Sequence, residues 1–316
     1  MTSSYFTIRK NCPACKFQES TQIYSCRFNN HPIRQYLESF YSSQGKIEFK
    51  YLNHSRFTLI ECNHCALIYQ QEIPNNFLMK KIYEEWIDPV KALDRHKSTM
   101  ALEDYLYYAR EVVPIIASFD TMPSELRFLD FGMGWATWCM LVKAFGSQCY
   151  GTELSDTRIT YAQSQGITVV PWQDLPSHSF HFINTEQVFE HLAEPFETLV
   201  YLKSCLHSDG ILKISVPRAT GIKKKLKIGD WNAPKHSKNS LNPVAPLEHI
   251  NCFSYKSILK MAETAGLKRL RLPIKIQYAY SIYRLSLKTI AKIIVKPLYR
   301  NFFNDTYIFL CHDYHK

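Results

Sequence analysis

The chain has 316 residues, 46% of them hydrophobic, and 38 Lys and Arg against 28 Asp and Glu give a net charge of +10. That is enough apolar length for one full α/β domain plus a smaller one, and no run of about 18 apolar residues offers a membrane span. The first residues, MTSSYFTIRKNC, lack the apolar core of a secretory signal, so a cytoplasmic protein is expected, with its 10 cysteines reduced or metal-bound rather than paired.

Residues 11–16 read NCPACK and residues 61–66 read ECNHCA. Two thiolates at Cys-x-x-Cys spacing can reach one ion, and two such pairs complete a tetrahedral sulfur shell suited to zinc. Structural Zn2+ on Cys12, Cys15, Cys62 and Cys65 is therefore expected, in a ribbon-like domain over residues 1–72. Residues 17–60 then fold as a hairpin with extra structure. Cys26 and His64 are rival ligands. A redox dithiol is disfavoured, because nothing nearby reads as a thioredoxin βαβ unit.

Residues 73–124 read as a helical linker or cap, with helices over Phe77–Trp86 and Leu102–Phe119. Leu106, Ala109, Val113 and Ile116 recur at helical spacing, and Pro114 is expected to kink or restart the second helix. Tyr105, Tyr107 and Tyr108 either line a substrate pocket or pack a domain junction.

Residues 127–137 are the most informative stretch, RFLDFGMGWAT. An apolar run ends in Asp130, Gly132 and Gly134 follow, and then a helix begins. Such a strand, small-residue turn and helix start lets backbone N–H groups approach a ligand closely. The spacing is Asp-x-Gly-x-Gly-x-Ala; the third glycine of a dinucleotide fingerprint falls on Thr137. Gln148–Glu153 reads as a second strand ending in an acid about 20 residues past the first glycine, a position that suits gripping the two ribose hydroxyls of an adenosyl group. Ser155 can cap the next helix and Gly166 can end it.

A third strand over Ile167–Val170 leads into Trp172, Gln173 and Asp174, and a fourth begins at His181–Asn184. A helix runs from Glu194-Pro195 to about His207, and Gly210–Pro217 is a fifth strand. This alternation predicts a parallel sheet with helices on both faces.

Residues 218–247 form a long basic Gly/Pro/Asn-rich insertion at the carboxyl end of the fifth strand, where open α/β sheets bind ligands, and a lid is expected there. Lys223, Lys224, Lys225 and Lys227 either meet an anionic substrate or form a solvated charge run. Trp231 and His236 are the lid residues expected to touch substrate. Ser254 caps a helix ending before Gly266, and Leu267–Gln277 reads as a strand. SIYRLSLKTIAKIIVKPLYR is a basic amphipathic helix whose Arg284, Lys288, Lys292 and Lys296 suit an anionic membrane surface, or the helix covers the sheet or forms a dimer face. The oligomeric state is open. Asp305–Tyr314 reads as the last strand.

From about Glu125 to His315 the chain resembles the class I S-adenosylmethionine (SAM) methyltransferases, of the kind grouped as methyltransferase domain family 23. RFLDFGMGWAT matches motif I, and Glu153, FINTEQVFEHLAEP and PLEHINCFS follow in order. The resemblance implies a Rossmann-like seven-stranded α/β sheet closed by a reversed strand, spanning residues 125–316 with the lid inserted at about 218–247. It implies SAM as cofactor, held by Asp130, Gly132, Met133, Gly134, Trp135, Glu153, Leu154, Trp172, Gln173, Asp174 and Glu186. It sets Glu248 and His249 near the methyl-transfer site, with His249 a candidate general base or a structural histidine, and His191 a further catalytic candidate. In the ubiquinone-type enzymes a segment similar to 187–191 supplies a divalent metal, but the first acid of that pattern is Gln187 here, so no metal is expected there. A zinc ribbon ahead of such a domain is similar to a bacterial group that includes sugar C-methyltransferases, which supports the layout more than the substrate.

The expected activity is methyl transfer to an anionic small-molecule or glycan acceptor, with a nucleotide- or lipid-linked sugar as one form. An RNA methyltransferase is the alternative; the scattered basic residues and the lack of an Asn/Asp-Pro-Pro-Tyr/Phe motif disfavour nucleic acid. An inactive SAM- and zinc-binding protein is disfavoured by the intact Asp130, Gly132, Gly134 and Glu153.

Overall fold

A computed structural model describes residues 5–42, 44–279, 287–303 and 305–313. In chain order its strands are β1 (Phe6–Ile8), β2 (Ser20–Arg27), β3 (Arg56–Cys62), β4 (Ile68–Gln70), β5 (Glu72–Pro74), β6 (Arg127–Phe131), β7 (Gln148–Thr152), β8 (Thr168–Val169), β9 (Phe180–Glu186), β10 (Leu206–Ser215), β11 (Asn251–Cys252), β12 (Leu267–Leu270) and β13 (Tyr307–His312). The chain forms two compact units, each assembled from three segments. The first takes residues 1–95, 187–198 and 216–264; the second takes 96–186, 199–215 and 265–316.

The second unit is built on a seven-stranded sheet in the order β12-β13-β10-β9-β6-β7-β8. Strands β10, β9, β6, β7 and β8 pair in parallel. β13 enters antiparallel between β10 and β12, which is the reversed closing strand the sequence resemblance implied. Parallel strands covered on both faces read as apolar runs, and Phe128, Leu129, Phe182 and Ile183 are fully buried. Each such side chain contributes about 1.5–3 kcal/mol of burial.

The expected strand Leu267–Gln277 is shorter than its apolar pattern suggests. It stops at Leu270, and a helix (Ile274–Ala279) follows Pro273. Proline lacks the N–H a ladder needs, while its fixed φ suits a helix start. The helix Leu102–Ile116 continues past Pro114 without a restart. It gives up the one backbone bond proline cannot donate, and Pro114 is buried beside Val112 and Ile115.

The first unit holds an antiparallel sheet in the order β11-β4-β3-β2 and the pair β1-β5. Its core joins Phe28, Ile33, Leu37, Tyr41 and Phe57 from the N-terminal segment to Ile222, Leu226, Trp231, Leu241, Val244 and Leu247. Much of residues 218–247 is therefore core material: a short helix (Ile222–Ile228) and a turn at Asn242–Val244 carry the apolar side chains inward. Trp231, expected at substrate, is 5% exposed and packs against Tyr24, Tyr36 and Phe57 at ring distances of 5.6–5.7 Å. His236 is exposed.

The basic tail segment is helical over Leu287–Phe302. Arg284 and the side chains of Lys288 and Lys292 lie outside the described residues. Among the described residues no helix is long and apolar enough to cross a membrane.

Candidate functional site

In the second unit the glycine turn leaves β6 beside the end of β7. Asp130 is 4% exposed; Asn184 Nδ2 donates to it at 2.7 Å and Cys139 Sγ lies at 3.6 Å. Burial, only partly offset by the Asn184 bond, pushes its carboxyl up to about 7. Gly132, Gly134 and Ala136 follow with φ of 73°, 54° and 57°, left-handed values that glycine adopts without strain. Gly132 N and Met133 N donate to Thr152 O at 3.0 and 3.1 Å. Gly134 N donates to Glu153 Oε2 at 3.0 Å, and Leu154 N and Ser155 N donate to Glu153 Oε1 at 2.8 and 3.2 Å.

Glu153 is thus pinned across the two strand ends by backbone donors, and Arg158 approaches it to 3.5 Å. Ser155 opens its helix as expected but without a side-chain cap bond; its N–H is taken by Glu153 instead. A Cβ built on Gly134 meets no atom within 4 Å, so open space fronts the turn. Gly151 has the opposite surroundings, since Met133 packs directly over its Cα and any side chain there would collide.

Around the turn, Trp135 stacks on His96 at 5.9 Å and faces Arg158 at 5.5 Å. Trp172 is 39% exposed, stacks on Tyr201 at 4.4 Å and stands 5.3 Å from Phe131. Gln173 and Asp174 are exposed in the same short turn, and Leu154 is 89% exposed.

Glu186 ends β9 and is held from β10. Lys213, 1% exposed, places Nζ 2.6 Å from Glu186 Oε2 and 2.7 Å from Glu111 Oε1. Ser215 Oγ donates to Glu186 Oε1 at 3.0 Å, while Trp138 Nε1 and Tyr307 OH donate to Glu111 at 3.2 and 2.6 Å. Burial opposes the charges of Glu111 and Lys213, yet Lys213 still holds Glu111 below its usual value, and Glu111 and Glu186 raise the proton affinity of Lys213.

The three catalytic candidates come together in the first unit. His191 Nδ1 lies 2.9 Å from Glu248 O and 3.0 Å from Tyr83 OH, and the His191 and His249 rings are 4.9 Å apart. The Glu248 carboxylate accepts from Tyr41 OH at 3.0 Å. Burial pushes Glu248 up to about 7 against that hydrogen bond. His249 places Nδ1 2.5 Å from Asn242 O, and burial, reinforced by His191, pushes it down to about 3. An imidazole so displaced is neutral at physiological pH.

The cysteine cluster belongs to the same unit. Cys12 and Cys65 Sγ are 3.6 Å apart, as are Cys15 and Cys62 Sγ. Four thiolates at about 2.3 Å from one zinc ion stand about 3.8 Å apart. The two knuckles repeat one backbone pattern. Lys16 N bonds Cys12 O and Cys12 N bonds Phe17 O; Ala66 N bonds Cys62 O and Cys62 N bonds Leu67 O. Lys16 and Ala66 match too, with φ of 60° and 61°. The hydrogen bond from Cys65 holds the Cys12 thiol down at about 5, which favours a thiolate. Cys26 bonds backbone carbonyls and His64 stacks on Phe17, and neither joins the cluster.

The methyltransferase-domain family matches residues 84–272, more than half of the chain. The chain belongs to that family. Its sheet order and reversed closing strand are those of the class I SAM-dependent methyltransferase fold. Among solved structures, PKMT2 from Rickettsia typhi is 16% identical with a TM-score of 0.44, over 67% of this chain and 54% of its own, so the chain spans about half of that protein. The plantazolicin methyltransferase BpumL is 14% identical with a TM-score of 0.46, over 75% and 94%. Magnesium protoporphyrin IX methyltransferase from Synechocystis PCC 6803 is 16% identical with a TM-score of 0.41, over 62% and 90%. No curated protein sequence matches.

Three features of this methyltransferase-domain chain escaped sequence reasoning. Lys213 was read as part of a β-rich run, although a lysine between Leu212 and Ile214 was itself a signal of buried charge. Glu111 lay unremarked in an amphipathic helix. Asn251 and Arg9, which bond each other and the 189–193 turn, carry no local pattern.

Proposed function

We propose that the chain transfers a methyl group from SAM to an anionic small-molecule or glycan acceptor, and that Cys12, Cys15, Cys62 and Cys65 hold a structural zinc ion. The observation that carries the first part is Glu153, fixed at Gly134 with open space before the turn. A carboxylate there can accept both ribose hydroxyl protons. The backbone of Gly132–Trp135 lines the cofactor, with Asp130 bracing the turn, Trp172, Gln173, Asp174 and Leu154 on the adenine side, and Glu186 taking the ammonium group. SAM supplies an electrophilic methyl on its sulfonium.

The chain's own residues orient the acceptor and take its proton. Of the three catalytic candidates, Glu248 is the carboxylate, oriented by Tyr41 OH at 3.0 Å, and takes the proton-accepting role in this reading. His191 bonds the Glu248 backbone and His249 bonds Asn242, so both act as positioning groups in this reading. Lys223 pairs with Glu61 and Lys225 bonds Ser240 O. Lys224 and Lys227 are exposed on the same short helix and suit a negatively charged acceptor.

Calorimetry and turnover separate the roles. Glu153→Ala should weaken SAM binding by about 10–100-fold, the loss of a charged acceptor for two hydroxyls. Glu248→Gln should leave SAM affinity unchanged and lower turnover by about 100-fold or more. Unchanged SAM affinity in Glu153→Ala overturns the cofactor assignment. Transfer of label from SAM to RNA, but not to anionic sugars or nucleotides, overturns the acceptor class.

A further inference from the structure

Glu190, His191 and His249 form a second donor cluster, separate from the four cysteines. A carboxylate oxygen and one nitrogen of each ring all lie within 4.8 Å of one another. Gln187 stands where the metal-binding pattern of the 187–191 segment has an acid. The structure brings a third donor from a segment 58 residues further on, His249 against His191, and we infer that Glu190, His191 and His249 bind one divalent transition-metal ion.

The hydrogen bonds around the two rings point to this. His249 Nδ1 faces Asn242 O and His191 Nδ1 faces Glu248 O. A carbonyl only accepts, so His249 Nδ1 carries the proton and its Nε2 the lone pair; His191 takes the same tautomer when its Nδ1 donates to Glu248 O and Tyr83 OH, 3.0 Å from that nitrogen, accepts or turns away. Backbone carbonyls holding the far nitrogen are the outer partners that orient metal-bound imidazoles. His191 Nε2 stands 3.9 Å from Glu190 Oε1, too far for a hydrogen bond. Neighbouring ligands at about 2.1 Å from an ion stand roughly 3–3.5 Å apart, so small side-chain rotations close the shell. Glu190 itself is 1% exposed.

The cluster is also held rigid. Asn251, fully buried, donates from Nδ2 to Phe189 O at 2.9 Å and Leu192 O at 2.7 Å. Arg9 donates to Asn251 Oδ1 at 2.8 Å, to Ile250 O at 3.1 Å and to Ala193 O at 2.7 Å. These bonds clamp the turn that carries Glu190 and His191 to the strand that follows His249. Gln187 and Leu247, just ahead of the two donor segments, hold φ of 55° and 71°. Such left-handed strain in non-glycine residues persists where the surroundings impose it, often at functional sites.

Two imidazoles and one carboxylate select a borderline ion such as Fe2+, Co2+ or Zn2+ over Mg2+ or Ca2+. Three protein donors leave positions open for an oxygen ligand. The inference does not depend on the methyl-transfer reading.

Co2+ is the probe, added to the full chain with its cysteine site intact. We expect one Co2+ per chain with the weak visible absorption of nitrogen and oxygen ligation and without a near-ultraviolet thiolate band. Glu190→Gln and His249→Gln should each weaken it at least about 10-fold, the smallest loss that removing even an outer partner causes. In the unaltered protein, two imidazole proton sets should shift paramagnetically, assigned to His191 and His249, while those of His64 and His236 stay in place; this arm needs no variant to fold. Absence of such Co2+ from the unaltered protein, or unchanged affinity in both variants, overturns the inference.

Discussion

In the second unit a buried lysine lies between two carboxylates, with Lys213 Nζ at 2.7 Å from Glu111 and 2.6 Å from Glu186. In the first unit, among the described residues, four thiols and a Glu-His-His set bring metal-ligating atoms together, and by our reading their positive charge arrives as metal ions. The difference teaches how each cluster is balanced. The second unit's carboxylates are matched by a side chain of its own strand β10, whereas on our reading the first unit's donor clusters are matched only when ions are bound.

The largest effect expected follows from the cysteines. Zinc bound to such a site contributes on the order of 10 kcal/mol of folding free energy, comparable to the whole stability of a domain. Cys12→Ser should lose the zinc and strip amide protection from β3 and β4, while β6 and β9 remain protected. Hydrogen exchange read strand by strand checks this. Equal loss in both sheets would break the comparison.

Next is the lysine. Lys213→Met leaves Glu111 buried beside a methyl group, and removing one partner of a buried pair costs about 3–5 kcal/mol. Adding Glu111→Gln should recover part of the loss. Denaturant midpoints of the single and double variants measure it, and a harmless single variant would show that Trp138 and Tyr307 suffice for Glu111.

The smallest effect is a slope. Asp130 has a folded pKa of about 7 against an ordinary 3.8, so between about pH 4 and pH 7 the folded state holds a proton that the unfolded state has lost. Its contribution is fully present at the acid end of that window and is lost as pH rises through it, by up to about 1.4 kcal/mol per pH unit. Asp130→Asn should flatten the slope in denaturant titrations at about pH 5 and about pH 7.

The parts legible from sequence were local. The strand, glycine turn and helix of residues 127–137 fit within one window, and each Cys-x-x-Cys knuckle closes on itself with its own backbone bonds. Residues 218–247 were misread as open lid because their apolar side chains are sparse and irregularly spaced. Their partners, Tyr24 and Phe57 against Trp231, lie far back in the chain, and no periodicity encodes such a pairing. Lys213 itself stood out as a charge within an apolar run, but its partner did not, since Glu111 is 102 residues away. Of the site, the Glu153 position followed from spacing, whereas the proximity of His191 and His249 required the fold to be seen.

The bond from Arg9 to Asn251 spans 242 residues. At translation rates of about 5–20 residues per second, the early arginine waits about 12–50 s for its asparagine to be made. All four knuckle cysteines are synthesised within the first 65 residues, well before that bond can form. For that interval the thiols sit on a nascent chain whose surrounding core is incomplete, competing between ion capture and oxidation. Early zinc loading would then act as a placeholder, holding the two knuckles together on the ribosome until the distant segments arrive.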